Sequence, residues 1–253
     1  MRIPRFRRRR AEAAPMRTYA IGDIHGCSAL LAELLILIEE DVAAREPMLN
    51  RLVILGDFID RGPDSAEIIE LFMSLDGRSN VVILKGNHEA TMADALDGDA
   101  SAMEAWLDHG GGKTLESYGL FLSANDTWDF RAVINAAREA VPAPVMNWLR
   151  SRPCSLASGE YFFVHAGVRP GIPLAKQSDD DLLWIRDEFT STDDSYGAVV
   201  VHGHTIYENG VSFRPNRIGV DTGAYRTGRL SAVGIEGEDV WTITTSSKLN
   251  LPD

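Results

Sequence analysis

Gly22-Asp23-Ile24-His25-Gly26 follows the strand-like run Arg17 to Ile21, and this junction decides the fold because it recurs. Gly56-Asp57-Phe58-Ile59-Asp60-Arg61-Gly62 follows Arg51 to Leu55, and Gly86-Asn87-His88-Glu89 follows Asn80 to Leu84. Val164-His165-Ala166-Gly167 continues Tyr161 to Val164, and His202-Gly203-His204 follows Ala198 to Val201. Short runs rich in Val, Ile, Leu and Phe read as buried strands. Each is followed by carboxylate, amide or imidazole side chains, the ligand mix suited to a pair of divalent ions. Taken singly, each Asp or Asn would be read as a helix cap and each His as a hydrogen-bonded core residue. Five such junctions together point to one metal-binding site.

Between the first three runs the pattern is helical. Leu30, Leu31, Leu34, Leu35 and Ile38 recur at helical spacing, as do Ile68, Ile69, Phe72 and Met73. Strand, helix, strand, helix, strand predicts right-handed crossovers and a parallel sheet, an α/β fold. Ligands of open α/β sheets bind at the carboxyl ends of the strands, so the five segments are expected to converge on one edge. Asp23 and His25 are two residues apart and share a side if extended. Asn87 and His88 are adjacent and diverge, so one is expected to bind metal and the other to do something else. Glycines beside the ligands permit tight turns and close backbone approach.

In this order the segments resemble the signature of the PPP-type serine/threonine phosphatases, within the calcineurin-like metallophosphoesterases. The pattern GDxHG, GDxxDRG, GNHE, HAG and a late His is matched by residues 22–26, 56–62, 86–89, 165–167 and His204. The resemblance spans about residues 17 to 235, and the symmetrical bacterial dinucleoside tetraphosphatases share most of these motifs. It implies a β sandwich of two mixed sheets flanked by helices. It also implies two divalent ions, Mn²⁺ first with Fe or Zn as alternatives. Asp23, His25 and Asp57 would hold one, and Asp57, Asn87, His165 and His204 the other, with Asp57 bridging. A hydroxide shared by metals roughly 3.5–4 Å apart would attack phosphorus in line. His88 would protonate the leaving-group oxygen, with Asp60 orienting its ring. Arg61 would clamp phosphate oxygens, because a guanidinium fork matches them in a bidentate way. Arg186 resembles a second phosphate-binding arginine of bacterial members; its plainer reading is a surface residue paired with Asp187 or Glu188. His202 is read as a supporting or structural residue, with metal binding left open.

The resemblance implies a phosphatase acting on phosphomonoesters, foremost phosphoprotein (Ser/Thr, then Tyr) or another small phosphorylated substrate. The alternative is a symmetrical dinucleoside tetraphosphatase, and a third reading is a non-catalytic scaffold of the same fold. Asp179, Asp180, Asp181, Asp187 and Glu188 are expected to repel a long polyphosphate. Trp106, Tyr118, Trp184 and Tyr225 are aromatic residues that would suit adenine stacking or plain packing.

The remaining features bound these readings. A chain of 253 residues is long enough for one substantial core. It is read as a single domain over residues 16–253, with a helical insertion or cap at about 91–151 that includes Trp106, Trp128 and Trp148. Residues 218–220, 230–235 and 240–244 are expected to be strands of the second sheet. Six of the first ten residues are Arg, and residues 1–15 are expected to form a disordered basic tail. Setting those six aside takes the net charge from −12 to −18. Such a body repels nucleic acid and favours metal loading. No run of 18 apolar residues exists, so no membrane span is expected. The chain is read as a cytoplasmic monomer, and Cys27 and Cys154 as two thiols. Gly112-Lys113-Thr114 resembles the end of a phosphate-binding loop, but Leu107 stands where that loop requires glycine, so a turn between helices is expected.

Overall fold

The computed structural model describes residues 16–122 and 129–246. The expected basic tail and Trp128 lie outside the described residues. The chain runs β1 (Met16–Ile21), α1 (Ser28–Ala43), β2 (Leu49–Ile54), α2 (Ser65–Leu75), β3 (Val81–Ile83), α3 (Asn87–Asp97) and α4 (Ala100–Trp106). A kinked turn (Leu107–Gly111) leads to α5 (Gly112–Ser117), α6 (Phe130–Ala140), α7 (Ala143–Arg150), β4 (Ser155–Ser158) and β5 (Tyr161–Val164). There follow α8 (Asp179–Trp184), α9 (Asp187–Thr190), β6 (Val199–His202), β7 (Ser212–Phe213), β8 (Arg217–Gly219), α10 (Ala224–Thr227), β9 (Ser231–Glu236) and β10 (Asp239–Thr244).

The strands make two five-stranded mixed sheets, β10-β9-β1-β2-β3 and β4-β5-β6-β8-β7. β1, β2 and β3 are parallel, as the strand–helix alternation requires, and β5, β6 and β8 are parallel in the second sheet. One expectation is corrected. Residues 231–244 form a hairpin that joins the first sheet, with Ile21 opposite Ala232 in an antiparallel pair. The reason is edge protection: β2 covers one side of β1, and β9 covers the other. β9 is buried on both faces, so its pattern does not say which sheet it joins. Of the three late segments, only β8 lies in the second sheet.

Alternation along the strands builds the layers. Ala20, Val53, Leu55, Val233 and Ile235 face Phe163, Val199, Val201 and Ile218 between the sheets. Their neighbours Tyr19, Ile21, Ile54 and Ile83 face outward onto Leu30, Leu34, Ile68 and Phe72 of α1 and α2. Full burial of such side chains is worth about 1.5–3 kcal/mol each. On the far side, Phe162, Val164 and Val200 pack against Leu182, Ile185 and Phe189 from α8 and α9. The order is helices, sheet, sheet, helices. The carboxyl ends of the parallel strands from both sheets open on the same rim. Cys27 and Cys154 are free thiols. No helix among the described residues is long and apolar enough to cross a membrane.

Candidate metal centre and active site

Each strand end delivers a segment to that rim. Asp23 and His25 follow β1; Asp57, Asp60 and Arg61 follow β2; Asn87, His88 and Glu89 open α3; His165 follows β5; His204 follows β6. The backbone there is strained. The positive-φ residues other than glycine among the described residues are His25 (47°), Asp57 (46°), Asp60 (70°), Arg61 (68°) and His204 (59°). Such conformations cost about 1–3 kcal/mol each and persist only where the surroundings enforce them. Two glycines allow the enforcement. A Cβ on Gly62 would lie 2.3 Å from His25 O, and one on Gly86 would lie 2.1 Å from Asp57 Oδ1.

Asp57 is the centre of the arrangement. Its Oδ2 lies 3.8 Å from His25 Nε2, 3.8 Å from His88 Nε2 and 3.4 Å from His165 Nε2. Burial opposes its ionisation, but the imidazoles of His165, His88 and His25 outweigh burial and hold its carboxyl well below the usual range. His165 Nε2 also faces Asn87 Oδ1 at 2.8 Å and His204 Nδ1 at 3.1 Å. His25 Nδ1 lies 2.9 Å from Ile59 O and His165 Nδ1 lies 3.0 Å from Leu55 O. Each Nδ1–H therefore donates to a carbonyl, which leaves each Nε2 lone pair aimed into the site. Burial and the neighbouring His165 push His204 down to about 2, so it stays neutral.

Ligand-type atoms come within 4.8 Å of one another in two groups, His25–Asp57–His88 and Asp57–His165–His204, sharing Asp57. Lone pairs of nitrogen and oxygen converge with few protons between them. That donor set suits divalent ions, which these residues would hold. Asn87 falls beside the second group through His165. Asp23 stands outside both groups. Its two carboxylate oxygens accept the His204 N–H at 3.1 and 3.0 Å, and burial, then Asp221 and Asp57, pushes it well above the usual range.

His88 belongs to the first group by distance but is engaged differently. Its Nδ1 lies 2.6 Å from Asp60 Oδ2. Burial lowers its basicity, yet the charges of Asp57 and Asp60 and the Asp60 hydrogen bond prevail and raise it. An imidazole biased toward its protonated form suits proton donation better than metal ligation. Arg61 fills the gap between the two rings: Nη1 is 3.1 Å from His25 Nε2 and Nη2 is 3.1 Å from His88 Nε2. Its guanidinium lies 4.5 Å from the centroid of the Tyr225 ring. Arg186 reaches the same rim, with Nη1 donating to His204 O at 3.4 Å; Glu188, its suggested surface partner, pairs with Arg169 instead. His202 is turned away, packed on Phe189 with ring centroids 5.0 Å apart, and its Nε2 is buried without a hydrogen-bond partner among the described residues.

Sequence reasoning missed several residues here. Glu89 is fully buried and accepts the N–H groups of Gly86, Asp57, Phe58 and Ile59, tying the second and third segments together. Its place three residues into a helix was the available signal, since a Glu there reaches back to the helix start. Asp221 lies beside Asp23 and accepts the Gly223 N–H at 2.8 Å; no motif marked it. Trp106 is fully buried and cannot stack on a base; its indole N–H donates to Asp60. Thr114, at the end of the loop-like Gly-Lys-Thr, lies in α5 and donates its hydroxyl to Asp60 Oδ1 at 2.6 Å.

Comparison with known proteins agrees with this geometry. The model of the calcineurin-like phosphoesterase family matches residues 16–226. The symmetrical bis(5'-nucleosyl)-tetraphosphatase of Dechloromonas aromatica (strain RCB) is 31% identical over 159 residues, covering 61% of this chain and 45% of that protein. This chain thus spans about half the length of the curated relatives it matches. Among solved structures, a candidate diadenosine tetraphosphatase superposes with a TM-score of 0.60 at 22% identity, covering 92% of this chain and 98% of the other. A Saccharomyces cerevisiae protein serine/threonine phosphatase gives 0.60 at 15% identity, covering 92% and 81%; both likenesses concern the fold. With its metal-type ligands gathered at the strand ends and most of its length matched, the chain belongs to the calcineurin-like phosphoesterase family.

Proposed function

We propose that this protein is a dinuclear metal-dependent phosphohydrolase that cleaves symmetrical dinucleoside tetraphosphates. The observation that carries the hydrolase is the Asp57 carboxylate, flanked by two groups of ligand atoms. Bound there, divalent ions supply Lewis-acid polarisation of the phosphoryl group and activation of water. Asp57, His25, His165, His204 and Asn87 would hold them, with Asp23 beside them. Arg61 and Arg186 bind and orient phosphoryl oxygens. With Asp60 fixing its ring through Nδ1, His88 would deliver a proton from Nε2 to the leaving oxygen once substrate takes the Arg61 N–H that Nε2 faces. The direct attack of water, the identity of the ions as Mn²⁺ and the role of each ligand belong to this proposal.

Two things support the dinucleotide substrate over the phosphoprotein. The curated relatives are named symmetrical tetraphosphatases. The acidic residues expected to repel a polyphosphate are partly neutralised, because Arg169 pairs with Asp181 at 2.5 Å and with Glu188 at 2.5 Å. One observation favours the phosphomonoester reading: a buried acid–carboxylate pair is most useful where the leaving group is a poorly acidic alcohol, such as a serine side chain. Competing assays decide between them. With Mn²⁺ at one pH, kcat/KM for diadenosine tetraphosphate should exceed that for phosphoserine, phosphothreonine and phosphotyrosine peptides, with two ADP as products. A clear preference for a phosphopeptide would reverse the assignment.

A further inference from the structure

The segment between α4 and α5 reaches back to the proton-donating pair. Trp106 ends α4, and its Nε1–H donates to both oxygens of Asp60, at 3.0 Å to Oδ1 and 2.9 Å to Oδ2. Thr114 lies in α5; its hydroxyl donates to Oδ1 at 2.6 Å and accepts the Asp60 N–H at 3.0 Å. Asp60, Trp106 and Thr114 are all fully buried. The two donors come from 46 and 54 residues further along the chain, so their meeting is a tertiary arrangement rather than a local cap.

The turn between the helices is shaped for this contact. Residues Leu107–Gly111 form a kink between the two helices, with Gly110 outside helical conformation at φ 104°. A Cβ on Gly111 would lie 2.5 Å from the Trp106 ring, and one on Gly110 would lie 2.9 Å from Arg61 Cγ. The Arg61 N–H also donates to Gly110 O at 3.3 Å.

An indole N–H can only donate. With Trp106 bridging both oxygens and Thr114 on Oδ1, the carboxylate cannot rotate without breaking two hydrogen bonds. Oδ2 then faces His88 Nδ1 at 2.6 Å, and the ring must present its Nδ1–H there, leaving Nε2 on the Arg61 side of the site. We propose that Trp106 and Thr114 are positioning residues of the proton-donating pair: they pin the Asp60 carboxylate, which pins the His88 ring. The helical segment 100–117 is by this inference part of the catalytic apparatus and not only a cover over the sheet. This rests on the reading of His88 as the acid.

The experiment uses the full, Mn²⁺-loaded chain and two substrates, an alkyl phosphate (phosphoserine peptide) and p-nitrophenyl phosphate, whose leaving group hardly needs a proton. Trp106→Phe should lower kcat for the alkyl phosphate by about 10- to 100-fold, as expected of a small misplacement in the site, with KM unchanged. The aryl phosphate should change by less than about 3-fold, and the loss should vanish when Trp106→Phe is placed in a His88→Asn background. Thr114→Val should act in the same direction and Thr114→Ser should restore activity; this pair decides the matter if Trp106→Phe does not fold. In the metal-free chain, the downfield proton resonance of His88 Nδ1–H should move upfield in Trp106→Phe. Equal losses for both substrates, or an undiminished further loss in the His88→Asn background, would overturn the proposal. His88→Asn is itself the control: if that variant alone spared the alkyl phosphate, the acid reading would fail first.

Discussion

His88 Nδ1 stands 2.6 Å from Asp60 Oδ2, with His88 3% and Asp60 0% exposed. That buried pair fixes the ring, so its other nitrogen, Nε2, faces the Arg61 side of the site. His88→Asn should therefore lower kcat for an alkyl phosphate by about 10²–10⁴, the usual span of general acid catalysis. The loss should be smaller for p-nitrophenyl phosphate and for the anhydride, whose leaving groups are already acidic. Steady-state kinetics on the three substrates check this, and equal losses would remove His88 from the acid role.

Arg61 sits across His25 and His88 with its guanidinium stacked on Tyr225. Replacing the fork with a single ammonium loses a bidentate contact. Arg61→Lys should reduce kcat/KM by roughly 10- to 100-fold, the equivalent of one charge-assisted hydrogen bond. Metal content should stay at the parent level, and a fall in it would place Arg61 in the metal scaffold rather than on the substrate.

Asp221 gives a pH test of the metal-free chain. Burial first, then the charge of Asp57, pushes it up to about 6. The folded state holds this proton more tightly than the unfolded state. Its stabilising contribution is thus full below the unfolded value of 3.8 and is lost as pH rises through about 6. Asp221→Asn removes that dependence. Measured against the parent, the Tm of the variant should rise between about pH 4 and pH 7, by an amount equivalent to roughly 2–3 kcal/mol. Buried histidines such as His25 and His204 titrate in the opposite sense, and the comparison of variant with parent cancels them. A flat difference across that range would show that Asp221 and Asp23 do not share a proton-dependent burial cost.

The layers and the rim were legible in the sequence because short apolar runs and the residues after them are local signals. The segments that hold Asp57, His165 and His204 could be located from their position after strands, while the choice of His204 over His202 rested on the resemblance. Two kinds of information were not local. The 231–244 hairpin pairs with β1, and a strand buried on both faces, as β9 is, carries no local sign of which sheet it joins. Trp106 and Thr114 carry no signal of partnership with Asp60: an indole in an apolar helix reads as packing, and a Gly-Lys-Thr without its upstream glycine reads as a turn. The partner of Asp23 was not local either: both its carboxylate oxygens accept the N–H of His204, which lies 181 residues further along the chain.

The central claim is a pair of ions sharing Asp57, and calorimetric titration of Mn²⁺ into metal-stripped protein tests it most directly, with hydrolysis followed in the same samples. The parent should bind two ions per chain and gain activity with them. Asp57→Asn should weaken both sites and Asp23→Asn mainly one. Full hydrolysis by the stripped protein, or two ions bound by Asp57→Asn with parental affinity, would contradict the account.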